Sequence, residues 1–133
     1  EVTCAEELKG KRILVAEDNA LNAEIILTIL KDYGIEAELA GDGDIVIDML
    51  KRNQADYYDM ILMDIQMPHM DGYEATKVIR RLEDRRAEIP IVAMTANAFE
   101  EDRKAAFAAG MNGHVAKPIE ISRLLETMAE LLN

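Results

Sequence analysis

Five side chains in this 133-residue chain stand where chemistry could be done: Glu17, Asp18, Asp64, Thr95 and Lys117. Each follows a short apolar run. Ile13 to Ala16 leads into Glu17, Asp18 and Asn19, and Met60 to Met63 leads into Asp64. Ile89 to Met94 leads into Thr95, and Gly113 to Ala116 leads into Lys117 and Pro118. Such runs, bounded by polar residues, read as strands buried on both faces of a parallel sheet. Parallel strands put their C-terminal ends on one edge, where open α/β sheets bind ligands. Three carboxylates brought together there would repel one another and be driven to take up protons. A divalent cation resolves the conflict; hard oxygen ligands suit Mg²⁺, with Mn²⁺ as an alternative. Lys117 adds a point charge suited to phosphate, and Thr95 offers a hydroxyl donor. An aspartate, with a reference pKa of about 3.9, is already ionised near pH 7 and needs no base to act as a nucleophile. Phosphoryl transfer asks the protein mainly for positioning and charge neutralisation. The set therefore suits Asp64 as a phosphoryl acceptor better than it suits an acid/base pair.

The elements that must hold these residues alternate along the chain. After the first strand, Asp18 or Asn19 can cap a helix running from about Ala20 to Tyr33. Leu21, Ile25 and Ile29 recur on it at helical spacing, beside Ile26 and Leu30. Gly34 ends the helix. Glu36 to Ala40 alternates as a strand near an edge, and Gly41-Asp42-Gly43 is a turn. Ile45, Val46, Met49 and Leu50 mark a second helix. Beyond the Asp64 strand, Asp71-Gly72 opens a third helix with Ala75, Val78, Ile79 and Leu82 inward and Arg80, Arg81, Arg85 and Arg86 as a solvated end. Asn97 and Glu100 form a capping-box-like pair opening a fourth helix, whose thin stripe is Phe99, Ala106 and Phe107. It is expected to be the least firmly packed. The final helix has a wide apolar face of Ile121, Leu124, Leu125, Met128, Leu131 and Leu132. Five β–α alternations predict a parallel sheet with helices on both faces and right-handed crossovers.

Composition narrows the function classes. Half the residues are apolar and 31% are charged, as in an ordinary globular domain. No apolar run approaches a membrane span and no signal peptide is legible, so no direct membrane contact is expected. The net charge of −11 argues against nucleic acid, whose phosphates need a basic face. It favours a cation or a basic partner. The single Cys4 fits a reducing, cytoplasmic compartment. The chain starts at Glu1 with a polar lead-in, which reads as a fragment of something larger: residues 1–10 as a linker remnant, 11–133 as the domain.

The segments ILVAEDN, MDIQMPHMDGYEAT, IVAMTANAF and GMNGHVAKPI together resemble, in order and spacing, a response-regulator receiver domain of two-component signalling. The wording is most similar to receivers attached to hybrid sensor histidine kinases. The resemblance implies a flavodoxin-like (βα)5 fold with five parallel strands in the order 2-1-3-4-5. It implies that Asp64 accepts phosphate from a phosphohistidine, followed by a conformational switch and autodephosphorylation. Glu17, Asp18, Asp64 and the main-chain carbonyl of Gln66 would bind Mg²⁺. Thr95 would be the switch hydroxyl, and Lys117 the family's lysine before a cis Pro118. The family's switch aromatic falls at His114, a histidine where tyrosine or phenylalanine is commoner, which could add pH sensitivity. Gln66, Ala96 and Asn97 would flank the phosphoryl group and tune its lifetime. The implied partners are a histidine-phosphotransfer domain or a histidine kinase, with the domain a monomer or weak dimer. The parent chain would be a hybrid kinase, for which a membrane anchor is compatible. His69 reads as an exposed loop residue, and the methionines around Asp64 as core filler. Two alternatives stay open: a phosphorylation-independent interaction module, and a hydrolase with an aspartyl-phosphate intermediate. Against the hydrolase, position 66 is Gln where such enzymes place a second Asp.

Overall fold

A computed structural model describes residues 5–96 and 99–132. The strands are β1 (Arg12–Ala16), β2 (Glu36–Ala40), β3 (Met60–Asp64), β4 (Ile91–Thr95) and β5 (Gly113–Ala116). The helices are α1 (Ala5–Leu8), α2 (Ala20–Asp32), α3 (Gly43–Arg52), α4 (Gly72–Arg80), α5 (Glu100–Ala109) and α6 (Ile121–Leu132). The five strands form one sheet in the order β2-β1-β3-β4-β5, and every pairing is parallel. The expected flavodoxin-like architecture is therefore the one observed.

Alternation along the strands divides the core between two faces. Ile13, Val15, Met60, Leu62, Val92 and Met94 meet Ile26 and Leu30 of α2 and Leu124, Leu125 and Met128 of α6. Leu14, Ile61, Met63, Ile91 and Ala93 meet Val46 and Leu50 of α3, Ala75 and Ile79 of α4, and Ala106 of α5. All five residues of β3 and of β4 are buried, as strands covered on both faces must be. Leu8, in the polar lead-in, is fully buried in the first of these clusters.

Caps fix where the helices begin. The side chains of Asn19, Asp42 and Asp71 accept N–H groups of Asn22, Ile45 and Glu74, and Asp71 with Glu74 completes a capping box. Gly34 and Gly110 follow α2 and α5 with positive φ, the left-handed backbone that glycine adopts without cost.

Several inward faces differ from those read along the sequence. Leu21 and Ile25 are 65% and 47% exposed, and α2 instead buries Ala23, Ile26, Ile29 and Leu30. Its run AEIILTIL is apolar on almost every side, so spacing alone left the phase of the stripe undetermined. Ile45 faces out of α3 and Ile47 in; in α4 Thr76 is buried as well, while Val78 packs half-buried against the core. Phe99 and Phe107 are exposed, and α5 packs through Ala106 and Ala109. Helix α5 opens at Glu100 after Phe99, with no side-chain cap bond; Asn97 lies outside the described residues. Arg80 and Arg86 are not a solvated end: both guanidinium groups hold backbone carbonyls.

Candidate functional site at the carboxyl edge of the sheet

Parallel register sets the ends of β1, β3, β4 and β5 side by side: Ala16 pairs with Met63, Asp64 with Met94 and Thr95 with Ala116. The residues at or just after those ends line one cleft of about 440 Å³, which takes in Glu17, Asp18, Asp64, Gln66, Thr95 and Lys117. Every catalytic and metal-binding residue expected from the sequence is thus gathered in one place.

Within the cleft, Glu17 and Asp64 are 2% and 6% exposed, whereas Asp18 is open to solvent. Carboxylate oxygens of all three lie within 4.8 Å of one another. Lys117 bridges the two buried acids: its Nζ donates to Glu17 Oε1 at 3.0 Å and to Asp64 Oδ2 at 3.2 Å. Glu17 Oε2 accepts the Asn19 N–H at 3.1 Å, and Asp64 Oδ1 a longer bond from the Gln66 N–H at 3.3 Å. Burial drives the Glu17 carboxyl above its usual range, a rise reinforced by Asp64 and opposed by the bonds from Asn19 and Lys117. Burial alone would lower the Lys117 ammonium, but the bond to Glu17 and the charge of Asp64 outweigh it, leaving a raised pKa. Three acids share one ammonium, so the cluster has negative charge in excess and only oxygen donors to offer. That donor set fits a hard divalent cation.

Two glycine-dependent contacts brace the cleft. A Cβ at Gly72 would sit 2.4 Å from the Asp64 carbonyl oxygen, so α4 starts directly on the backbone of Asp64. The Gly72 N–H closes the intervening loop by donating to the Ile65 carbonyl at 2.8 Å. On the opposite side the Lys117–Pro118 peptide is cis, as expected, and the Lys117 N–H donates to the Thr95 carbonyl at 2.7 Å. His114 is half-buried with its Nε2 3.4 Å from Thr95 Oγ1, so the histidine and the hydroxyl are in contact.

Sequence reasoning missed other cleft residues: Asn22 from α2, Tyr73 from α4 and Asp102 from α5. They sit within helices, away from strand ends, and no spacing rule singles them out. Burial is the first cause of a raised Tyr73 phenol, followed by the nearby charges of Asp102 and Asp71. Ala96 also lines the cleft.

Comparison with known proteins gives a consistent result. Residues 13–129 match the family described as response regulator receiver domain. The osmosensing histidine protein kinase SLN1 of Saccharomyces cerevisiae is 43% identical over 122 residues, 90% of this chain and 10% of that protein. The chain thus spans only a small part of the curated relatives it matches. Among solved structures, the receiver domain of sensor histidine kinase PA1611 from Pseudomonas aeruginosa PAO1 is 37% identical with a TM-score of 0.80, covering 92% of this chain and 97% of that one. That structure has a magnesium ion coordinated in its active site cleft. The receiver domain of Saccharomyces cerevisiae Ssk1, solved with the histidine phosphotransfer protein Ypd1, is 28% identical with a TM-score of 0.83, covering 94% and 90%. With its sheet order, its cleft and its match over residues 13–129, the chain belongs to the response regulator receiver domain family, the phosphoaccepting module of two-component phosphorelays.

Proposed function

We propose that Asp64 is the phosphoacceptor of this receiver, and that Glu17, Asp18, Asp64 and the main-chain carbonyl of Gln66 hold Mg²⁺ beside it. The carrying observation is the Lys117 ammonium bridging Glu17 and Asp64 in a cluster of three carboxylates. A carboxylate oxygen of Asp64 attacks phosphorus as the N–P bond of a phosphohistidine breaks, and the electron pair of that bond stays with the imidazole nitrogen. Burial keeps Asp64 desolvated at the end of a rigid strand. Lys117, already 3.2 Å from Asp64 Oδ2, supplies fixed positive charge beside the transferred group. When bound, Mg²⁺ supplies the further positive charge that the phosphoryl oxygens require. Thr95 donates its hydroxyl to the phosphoryl group, and the His114 ring follows it. That coupling moves the equilibrium between two arrangements of α5 and β5. Gln66 and Ala96, which line the cleft, together with Asn97, control how water reaches the phosphoaspartate and hence its lifetime.

The same reading extends to context. The donor is a histidine-phosphotransfer domain or a histidine kinase, as with the relative solved on Ypd1. The parent protein is a hybrid sensor histidine kinase working in the cytoplasm, with Mn²⁺ able to replace Mg²⁺. No helix among the described residues is long and apolar enough to cross a membrane. The test is a small acyl phosphate plus Mg²⁺, read by intact mass. The wild-type chain should gain one phosphoryl group and lose it on standing, and Asp64→Asn should gain none. Equal labelling of the two proteins would move the acceptor elsewhere.

A further inference from the structure

The loop joining β3 to α4 carries Gln66 three residues before a histidine with unusual geometry. His69 has φ of 65°, the only non-glycine positive φ among the described residues. Its side chain is 73% exposed, yet Nδ1 lies 3.0 Å from Oδ2 of Asp42, whose side chain is only 12% exposed. Asp42 is itself fixed, because its other oxygen caps α3 by accepting the Ile45 N–H at 3.0 Å. The His69 bond is the first cause of an Asp42 carboxyl held below its usual range, followed by the Ile45 N–H. The neighbouring backbone is docked as well. The Gly43 N–H donates to the Met70 carbonyl at 3.1 Å, and a Cβ at Gly43 would stand 2.6 Å from that oxygen. So the tip of the loop sits directly on the first residue of α3, while its base is closed by the bond from Gly72 to Ile65.

We propose that His69 is a positioning residue: through Asp42 it clamps the far end of the β3–α4 loop and thereby sets the Gln66 carbonyl toward the ion site. The inference rests on the metal assignment given under Proposed function. Its logic is that of outer-shell partners, which fix a ligand's orientation and whose loss weakens metal binding. Gln66 leaves a rigid strand two residues earlier and meets the clamp three residues later, so its carbonyl has little freedom while both ends hold. Histidine at positive φ costs conformational energy that a glycine would not, and what the site gains for it is a side-chain donor that glycine lacks.

The test is Mg²⁺ titration of the whole chain by calorimetry, with melting temperature recorded in parallel. Asparagine carries its amide nitrogen on Cγ, where histidine carries Nδ1, and it tolerates the left-handed backbone. His69→Asn should therefore bind Mg²⁺ within about twofold of wild type. His69→Ala and His69→Gly both lack the donor but differ in backbone strain. Both should bind about tenfold more weakly, the lower end of outer-shell effects, while each still melts cooperatively as a folded domain, at a temperature lowered only by the loss of the Asp42 bond. Unchanged affinity in His69→Gly would overturn the clamp, as would an Asn variant as weak as Ala. Asp18→Asn is the control for the metal assignment. If it binds like wild type, that assignment fails; if it weakens while the His69 variants do not, the clamp alone fails.

Discussion

At the scale of single residues, the acids of this chain differ in what holds them ionised. Glu17 is buried and raised, and Lys117 is the counterweight that keeps it usable. Asp42 is the opposite case. Its bond to His69, then its cap bond from Ile45, hold its pKa below the ordinary 3.8. A carboxylate depressed in the folded state binds fewer protons there than in the unfolded chain around that pH. Its contribution to stability is therefore present above the unfolded value and is lost as pH falls through the folded one. Asp42→Asn keeps a competent helix cap but removes the titration. In chemical denaturation from pH 7 down to pH 2, wild type should exceed Asp42→Asn at neutral pH, and the gap should close below about pH 4. A gap that persists unchanged at pH 2 would mean that the charge of Asp42 contributes nothing and only its shape matters.

At the scale of elements, one guanidinium ties together four segments. Arg80, the last residue of α4, donates Nε to the Gly110 carbonyl and Nη1 to those of Ala87 and Ile89, each at 2.8 Å. Its Nη2 donates to Asn112 Oδ1 at 2.7 Å, an oxygen that also accepts the Ile91 N–H. The end of α4 is thereby fastened to the turn before β4, to β4 itself and to the exit of α5. Arg80→Ala would strand these carbonyls and remove a planar fork that lysine cannot reproduce. Its cost should be roughly 2–4 kcal/mol in urea unfolding, with Arg80→Lys in between. This clasp was invisible in the sequence, where Arg80 reads as one of several surface charges. Its partners are backbone carbonyls and an amide distant along the chain, which leave no periodic trace. The same blindness hid the bond from His69 to Asp42. What could be read was whatever the sheet dictates. Asp64, Thr95 and Lys117 each end or follow an apolar run, and parallel strands can only bring such ends to one edge. Helix faces were harder, because Leu21 and Ile25 repeat with the same period as the buried Ile26 and Leu30. The exposed Phe99 and Phe107 mislead in the same way, since aromatic residues count as core in any reading that weighs hydrophobicity alone.

At the scale of the whole molecule, the net charge of −11 sets a repulsive background that any salt relieves, so metal linkage has to be separated from screening. Simple screening acts on all the acids and depends on ionic strength alone. Binding in the cleft acts on Glu17, Asp18 and Asp64, whose oxygens lie within 4.8 Å, and follows mass action. At one hundred times its dissociation constant, an ion that binds only the folded state adds about 2.7 kcal/mol. For a domain of this length that corresponds to a rise in melting temperature of roughly 10 °C. Sodium chloride matched for ionic strength should produce a smaller rise. The excess given by Mg²⁺ should vanish on adding a chelator, and it should be largely absent from Asp18→Asn, in which the open carboxylate of the cluster is neutral. If Mg²⁺ and sodium chloride act alike in the wild-type chain, the cleft is only one more patch of an acidic surface, and the charge excess around Asp64 has some other compensation.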